Sequence, residues 1–152
     1  MNIIIKDTEK KNIEDIAELE KQCFSAPWTE EQLEKQLPDD MHLFVCAEDE
    51  NGNTVGYVGL MYVLDEGYIS NVAVDSRYRR MGIAGKLLDR LIEEAAQNQL
   101  SFVTLEARVS NTPAIKLYEK YGFEVVGTRR KFYSHPVEDA VLMTRFLSEE
   151  EK

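Results

Sequence analysis

The sequence predicts an α/β fold in which a mixed central sheet carries helices on both faces. Three observations lead there. Apolar segments of strand length alternate with amphipathic segments in the order β-α-α-β-β-β-α-β-α-β-β, the pattern of helices layered on a sheet. One of those strands, residues 68–74, runs through a turn of small and basic residues directly into a helix. Finally, 152 residues without a repeat or a low-complexity stretch suit one domain, large enough to bury about two thirds of its unfolded surface. The domain is expected over residues 1–147, with 148–152 a loose tail.

Ile3, Ile4 and Ile5 open as a short strand. Over residues 12–24, Ile13, Ile16, Ala17, Glu20 and Phe24 recur at helical spacing, so the apolar members share one face. Pro27 and Trp28 interrupt. Thr29 followed by Glu30, Glu31 and Gln32 reads as the capped start of a second short helix, which ends before Pro38. Residues 43–47 and 55–64 read as strands joined by a turn at 50–53, and Asp65, Glu66 and Gly67 turn the chain into the strand 68–74. A helix over 87–96 and a strand over 102–106 follow. Ser110 or Asn111 caps the next helix, whose first turn tolerates Pro113, and Gly122 ends it. Strands beginning at 123–126 and spanning 141–146 complete the sheet.

Composition narrows the function. The hydrophobic fraction of 43% and charged fraction of 30% are those of a soluble globular chain. No apolar run approaches the roughly 20 residues that span a bilayer, and the N-terminus turns acidic too soon for a signal peptide. Cys23 and Cys46 sit among apolar neighbours and are expected as reduced core residues, so the compartment expected is the cytoplasm. A net charge of −10, from 18 basic and 28 acidic residues, argues against a general nucleic-acid binder. The acidic surface serves either solubility or a basic partner. His42 and His135 lack metal-spaced partners, so no metal site is expected.

Against that acidic background the basic cluster Arg77, Arg79, Arg80 and Lys86 stands out. It lies on the turn Arg79-Arg80-Met81-Gly82-Ile83-Ala84-Gly85-Lys86. Small residues let backbone N–H groups approach a ligand, a helix N-terminus favours anions, and arginines add charge-assisted contacts to phosphate. The turn therefore suits a phosphorylated cofactor. A dinucleotide fingerprint would need a glycine that precedes Gly82 and Gly85, and a nucleotide P-loop would need Ser or Thr where Leu87 stands. Neither spelling fits.

Arg79 to Ala84 is spelled R-x-x-G-x-A, which resembles the acetyl-coenzyme A signature of the GNAT superfamily of N-acetyltransferases. Val72, Ala73, Val74 and Asp75 resemble that family's strand end. Asn111, Ala114, Leu117, Tyr118, Gly122 and Phe123 resemble its N-x-x-A-x-x-L-Y-x-x-x-G-F block, in the family's order and at its usual separation. The resemblance implies the GNAT-type acyl-CoA N-acyltransferase fold, in which two central parallel strands, here ending near Val74 and Glu106, splay to admit the acetyl-pantetheine arm. It implies acetyl-CoA as co-substrate, held by Val72, Ala73, Val74, the turn from Arg79 to Lys86, Asn111 and Tyr118. Val74 is the favoured backbone donor to the thioester oxygen.

Acetyl transfer to an amine needs a neutral nitrogen, a polarised thioester carbonyl and protonation of the departing thiolate. Glu106, where an apolar strand runs out, either draws a proton from the amine or pairs with Arg108 on the surface. Tyr118 either protonates the coenzyme A sulfur or packs beside Leu117 and Tyr121. Asn111 bonds the pantetheine arm, caps its helix, or does both.

Within the family, further phrases resemble the bacterial branch that acetylates the N-terminal alanine of a small-subunit ribosomal protein. They run from Cys23 to Thr29, Ile69 to Asp75, Leu105 to Asn111, and Arg129 to Tyr133 followed by Pro136 to Ala140. That likeness implies Glu106 as general base, Tyr118 as general acid, and the N-terminus of a ribosomal protein as acceptor. Ala84, Ala107 and Phe132 depart from the commonest residues of the branch. Trp28, Tyr133, Glu138 and Asp139 are the candidate acceptor-side residues, with Trp28 and Tyr133 equally readable as packing beneath a loop. Two other readings stand beside this one: the same chemistry on a lysine or a small-molecule amine, and a non-catalytic acyl-CoA-binding module. Neither cysteine lies in a motif for an acetyl-cysteine intermediate, so direct transfer in a ternary complex is expected.

Overall fold

In the computed structural model, which describes residues 2–24, 26–36, 41–134 and 136–147, the chain forms a seven-stranded sheet between two helical layers. The elements are β1 (Ile4–Asp7), α1 (Ile13–Cys23), α2 (Glu30–Gln36), β2 (His42–Glu48), β3 (Thr54–Val63), β4 (Glu66–Val74), α3 (Ile83–Gln97), β5 (Phe102–Arg108), α4 (Thr112–Lys120), β6 (Glu124–Ser134) and β7 (Val137–Phe146). Their order in the chain is the one expected. The expected tail, the stop at Pro38, and His135 lie outside the described residues.

The strands lie in the order β1-β2-β3-β4-β5-β7-β6. All neighbours are antiparallel except β4 and β5. Side-chain alternation sorts the core into two layers. Val45, Ala47, Val58, Leu60, Val103 and Leu105 pack against Leu87, Leu88 and Leu91 of α3. Phe44, Cys46, Tyr57 and Ala73 pack against Ile13, Ile16 and Ala17 of α1 and Leu33 of α2. Because both faces are covered, β2 and β3 read as nearly unbroken apolar runs. Each fully buried leucine contributes about 1.5–3 kcal/mol.

Local chemistry sets the helix boundaries. At α2, Gln32 N–H donates to Thr29 Oγ1 at 3.2 Å while Thr29 N–H donates to Gln32 Oε1 at 2.9 Å, a reciprocal capping box. At α4, Ala114 N–H donates to the Asn111 side chain at 3.3 Å, and Gly122 takes a φ of 91° beyond the last turn. Helix α3 begins at Ile83, four residues before the expected start, because Gly82 at a φ of 78° supplies the left-handed entry. Strands β6 and β7 also extend beyond the expected spans, pairing along a partly exposed edge where apolar patterning is weak. Of the two cysteines, Cys46 is fully buried, but Cys23 is half-buried at the end of α1 and faces a cleft.

Gly85 shows how α3 and α4 meet. A Cβ built there would lie 2.0 Å from the Tyr121 hydroxyl oxygen and 2.5 Å from its ring carbon Cζ. Gly85→Ala is therefore expected to destabilise the protein by about 1–3 kcal/mol despite its better helix propensity. Thermal melts check this, and Tyr121→Leu in the same chain should restore most of the loss.

Candidate active site

The parallel pair is hydrogen-bonded over a short span. Glu66, Gly67 and Tyr68 of β4 face Phe102, Val103 and Thr104 of β5, and there the register ends. Beyond it β4 stays on β3 and β5 stays on β7, so the two strands part. The cause lies in β4. Ile69 faces Leu60 and Asn71 faces Gly59, which leaves Ser70 as an extra residue. Such a bulge bends its strand and increases its twist. The Gly59 carbonyl accepts from Ser70 Oγ at 3.3 Å.

The opening is a cleft of about 640 Å³ walled by α1, β4, β5 and α4, together with Trp28, Phe132 and Tyr133. Asp75 N–H donates to Val55 O, so by the antiparallel alternation Ala73 and Asn71 bond β3. Val72 and Val74 consequently turn their N–H and C=O groups toward the parting. The Val74 carbonyl there accepts from Arg79 Nε at 3.3 Å, with Cys23 Sγ at 3.8 Å.

Glu106 sits in the fork with only 4% of its side chain exposed, so it is not a surface residue. Its partner is not Arg108. The Tyr68 hydroxyl donates to Oε2, and Arg129 Nε lies 3.5 Å from Oε1. Arg108 instead pairs with Glu138 at 3.2 Å and stacks over the Tyr133 ring at 4.3 Å. Burial, and then the Glu106 carboxylate, push the Tyr68 phenol well above its usual range.

Tyr118 lines the same cleft from α4, edge-on to Phe123 at 5.9 Å. Burial, with a smaller effect of Tyr133, pushes its hydroxyl up to about 12. Leu105 belongs to the α3 layer and Tyr118 packs on that layer, whereas Glu106 alternates to the opposite face. A carboxylate and a phenol thus reach one gap from opposite sides of the sheet. Asn111 both caps α4 and lines the cleft.

The basic turn lies at the far end of β4. Arg80 and Gly82 both adopt left-handed backbone, at φ of 66° and 78°, the kind of winding that converges N–H groups on an anion. Met81 is exposed beside them, and Ile83, Ala84 and Gly85 supply the first N–H groups of α3. Arg80 and Lys86 are exposed at this mouth. Arg77 is not available there. Its guanidinium grips Asp75 through two contacts of 3.1 and 2.9 Å, which hold the Asp75 carboxyl below its usual range. Arg79 crosses the strand end toward Val74 and Cys23. Arg80→Ala is expected to weaken coenzyme A binding by roughly tenfold, the equivalent of about 1.4 kcal/mol for one charge-assisted contact. Its salt dependence should also flatten, as calorimetry at two ionic strengths would read.

Of the residues expected on the acceptor side, Trp28 and Tyr133 line the cleft, whereas Glu138 and Asp139 are not among its walls. Ser110 N–H donates to Glu138 at 2.8 Å, and the Ser110 side chain, followed by this N–H and then Arg108, holds the carboxyl below its usual range. Lys131 N–H donates to Asp139 at 2.8 Å. Both carboxylates thus brace the loops around the cleft. Sequence reasoning missed Tyr68, Arg129 and Asn71, which approach the site only through strand pairing.

A fork between parallel strands, a basic turn, and a carboxylate and a phenol at the gap coincide with a match to the Acetyltransferase (GNAT) family model over residues 13–123. The chain belongs to the GNAT acetyltransferase family. It is an acetyl-CoA-dependent N-acetyltransferase, and its mixed seven-stranded sheet with four helices is that of the GNAT fold. Among its relatives is the [Ribosomal protein bS18]-alanine N-acetyltransferase of Escherichia coli, 33% identical over 127 residues, covering 82% of this chain and 84% of that protein. The N-alpha-acetyltransferase daf-31 of Caenorhabditis elegans is 38% identical over 113 residues, covering 70% of this chain and 62% of that protein. The crystal structure of the ribosomal-protein-S18-alanine N-acetyltransferase from Escherichia coli superposes with a TM-score of 0.87 at 30% identity, covering 97% and 95% of the two chains. Among the described residues of the acetyltransferase, no helix is long and apolar enough to cross a membrane, and no three His, Cys, Asp or Glu side chains are grouped to hold a metal ion.

Proposed function

We propose that this acetyltransferase transfers the acetyl group of acetyl-CoA to the α-amino group of a protein N-terminus, with the N-terminal alanine of a small-subunit ribosomal protein as the favoured acceptor. The observation that carries the chemistry is the meeting of Glu106 and Tyr118 at one gap from opposite faces of the sheet. The acceptor enters on the α1 face and the pantetheine on the α3 face. Glu106 takes the proton that frees the amine, whose unperturbed pKa of about 8 asks little of a base. The nitrogen attacks the thioester carbon, and the Val74 N–H receives the charge that develops on oxygen. Collapse breaks the carbon–sulfur bond, the new amide nitrogen gives up its extra proton to solvent, and Tyr118 protonates the leaving thiolate, recovering its proton from solvent. Arg80, Lys86 and the first N–H groups of α3 hold the pyrophosphate.

The acceptor assignment draws support from relatives named for N-terminal acetylation and from a wall of Trp28 and Tyr133 suited to a small first residue. Incubation with alanine-starting peptides, polyamines and aminoglycosides, read by mass spectrometry, tests it. Acetylation of the peptide α-amine is expected. Turnover of the small amines alone would overturn the peptide assignment.

A further inference from the structure

The apolar face of α1 carries one carboxylate, Glu20, in the stripe formed by Ile13, Ile16 and Ala17. It is 1% exposed. Burying a carboxylate costs several kcal/mol unless its lone pairs are satisfied, and an apolar side chain of similar size would pack here at least as stably. Three donors from three parts of the chain meet it. Trp28 N–H donates to Oε1 at 2.9 Å, Asn71 Nδ2 donates to Oε2 at 3.0 Å, and the Tyr57 hydroxyl donates to Oε2 as well. Asn71 lies beside the bulge that opens β4, and Trp28 forms the acceptor wall. Tyr57 is fully buried in β3.

These contacts join the two sides of the acceptor entrance. Without Glu20, Trp28 has no polar tie to β4, and its position would rest on packing alone. The geometry points to Glu20 as a positioning residue that clamps the backbone at Trp28 against the bulged strand and so sets the affinity for the acceptor. This rests on the acceptor entering beside Trp28, as in the proposed function. It assigns Glu20 no contact with the reacting atoms.

Trp28 is the only tryptophan of the chain and reports on the clamp directly. Glu20→Met removes every acceptor while keeping side-chain volume, and Asn71 and the Tyr57 hydroxyl, 3.3 Å apart, can then pair with each other. Glu20→Gln keeps one acceptor oxygen. Acrylamide quenching of Trp28 should increase in the order wild type, Gln, Met. The KM for an alanine-starting peptide should rise by about tenfold in the Met variant, the worth of one lost bond to a charged group, and less in the Gln variant. The KM for acetyl-CoA should stay unchanged.

Unchanged Trp28 quenching in a folded Met variant would overturn the inference. So would an equal loss of acetyl-CoA affinity, which marks general damage. If the Met variant does not fold, the Gln variant against wild type decides on the same readouts. A wild-type enzyme that acetylates no peptide would remove the proposed acceptor, while the quenching series would still decide whether the clamp exists.

Discussion

Glu106→Gln is expected to lower kcat by about 10²–10⁴-fold, the range for loss of a positioned base, with the KM for acetyl-CoA unchanged. The substitution keeps the shape of the side chain and an oxygen for the Tyr68 hydroxyl, so the fork should remain formed. What it removes is the basic oxygen that takes the amine proton, together with the charge that Arg129 faces. The deficit should depend on pH in a definite direction. Below a pH of about 8 most acceptor amine is protonated, and the variant cannot help to free it. Above that value solution supplies neutral amine, so the gap between variant and wild type should narrow. Steady-state kinetics across that range check both claims, and a wild-type rate in the variant at neutral pH would remove Glu106 from the chemistry.

Tyr118→Phe should give the second-largest loss, about 10²-fold in kcat. Its expected effect lies at the low end of the acid–base range because a thiolate is a better leaving group than an amine anion. Burial pushes the Tyr118 hydroxyl up to about 12, so the donor form is fully populated at neutral pH and declines only as pH rises toward that value. Tyr118 should therefore contribute no alkaline limb near neutrality. Packing of the ring on Phe123 is retained in the variant, so its melting temperature should change little. Coenzyme A binding measured by calorimetry should likewise be almost unaltered. If the variant loses stability in proportion to activity, Tyr118 is a packing residue and the thiolate leaves without it.

Much of this fold was legible because its segments carry strong local signals. Thr29 with Gln32, Asn111 with Pro113, and Gly122 mark helix ends through bonds made within a few residues. The turn from Arg79 to Lys86 is equally local, since its small residues and charges stand in consecutive positions. Glu106 and Tyr118 could be placed on elements, but their convergence could not be read from periodicity. It depends on a bulge at Ser70, which is visible only once β3 and β4 are in register. Tyr68 and Arg129 come from β4 and β6 and reach Glu106 through pairing in space. Glu138 and Asp139 read as acceptor-side candidates for the same reason, because Ser110 and Lys131 claim them only in the folded chain. Glu20 did leave a local trace, as an acid at helical spacing within an apolar stripe. Such an interruption marks a buried group with partners, and the fold supplies three of them.

A crystal structure with coenzyme A bound tests the central claim most directly. The pantetheine arm is expected to pass between β4 and β5 beyond Tyr68 and Thr104, its sulfur near the Tyr118 hydroxyl and its pyrophosphate over the first turn of α3. Coenzyme A seated on another surface, with the gap between the strands left empty, would contradict the account.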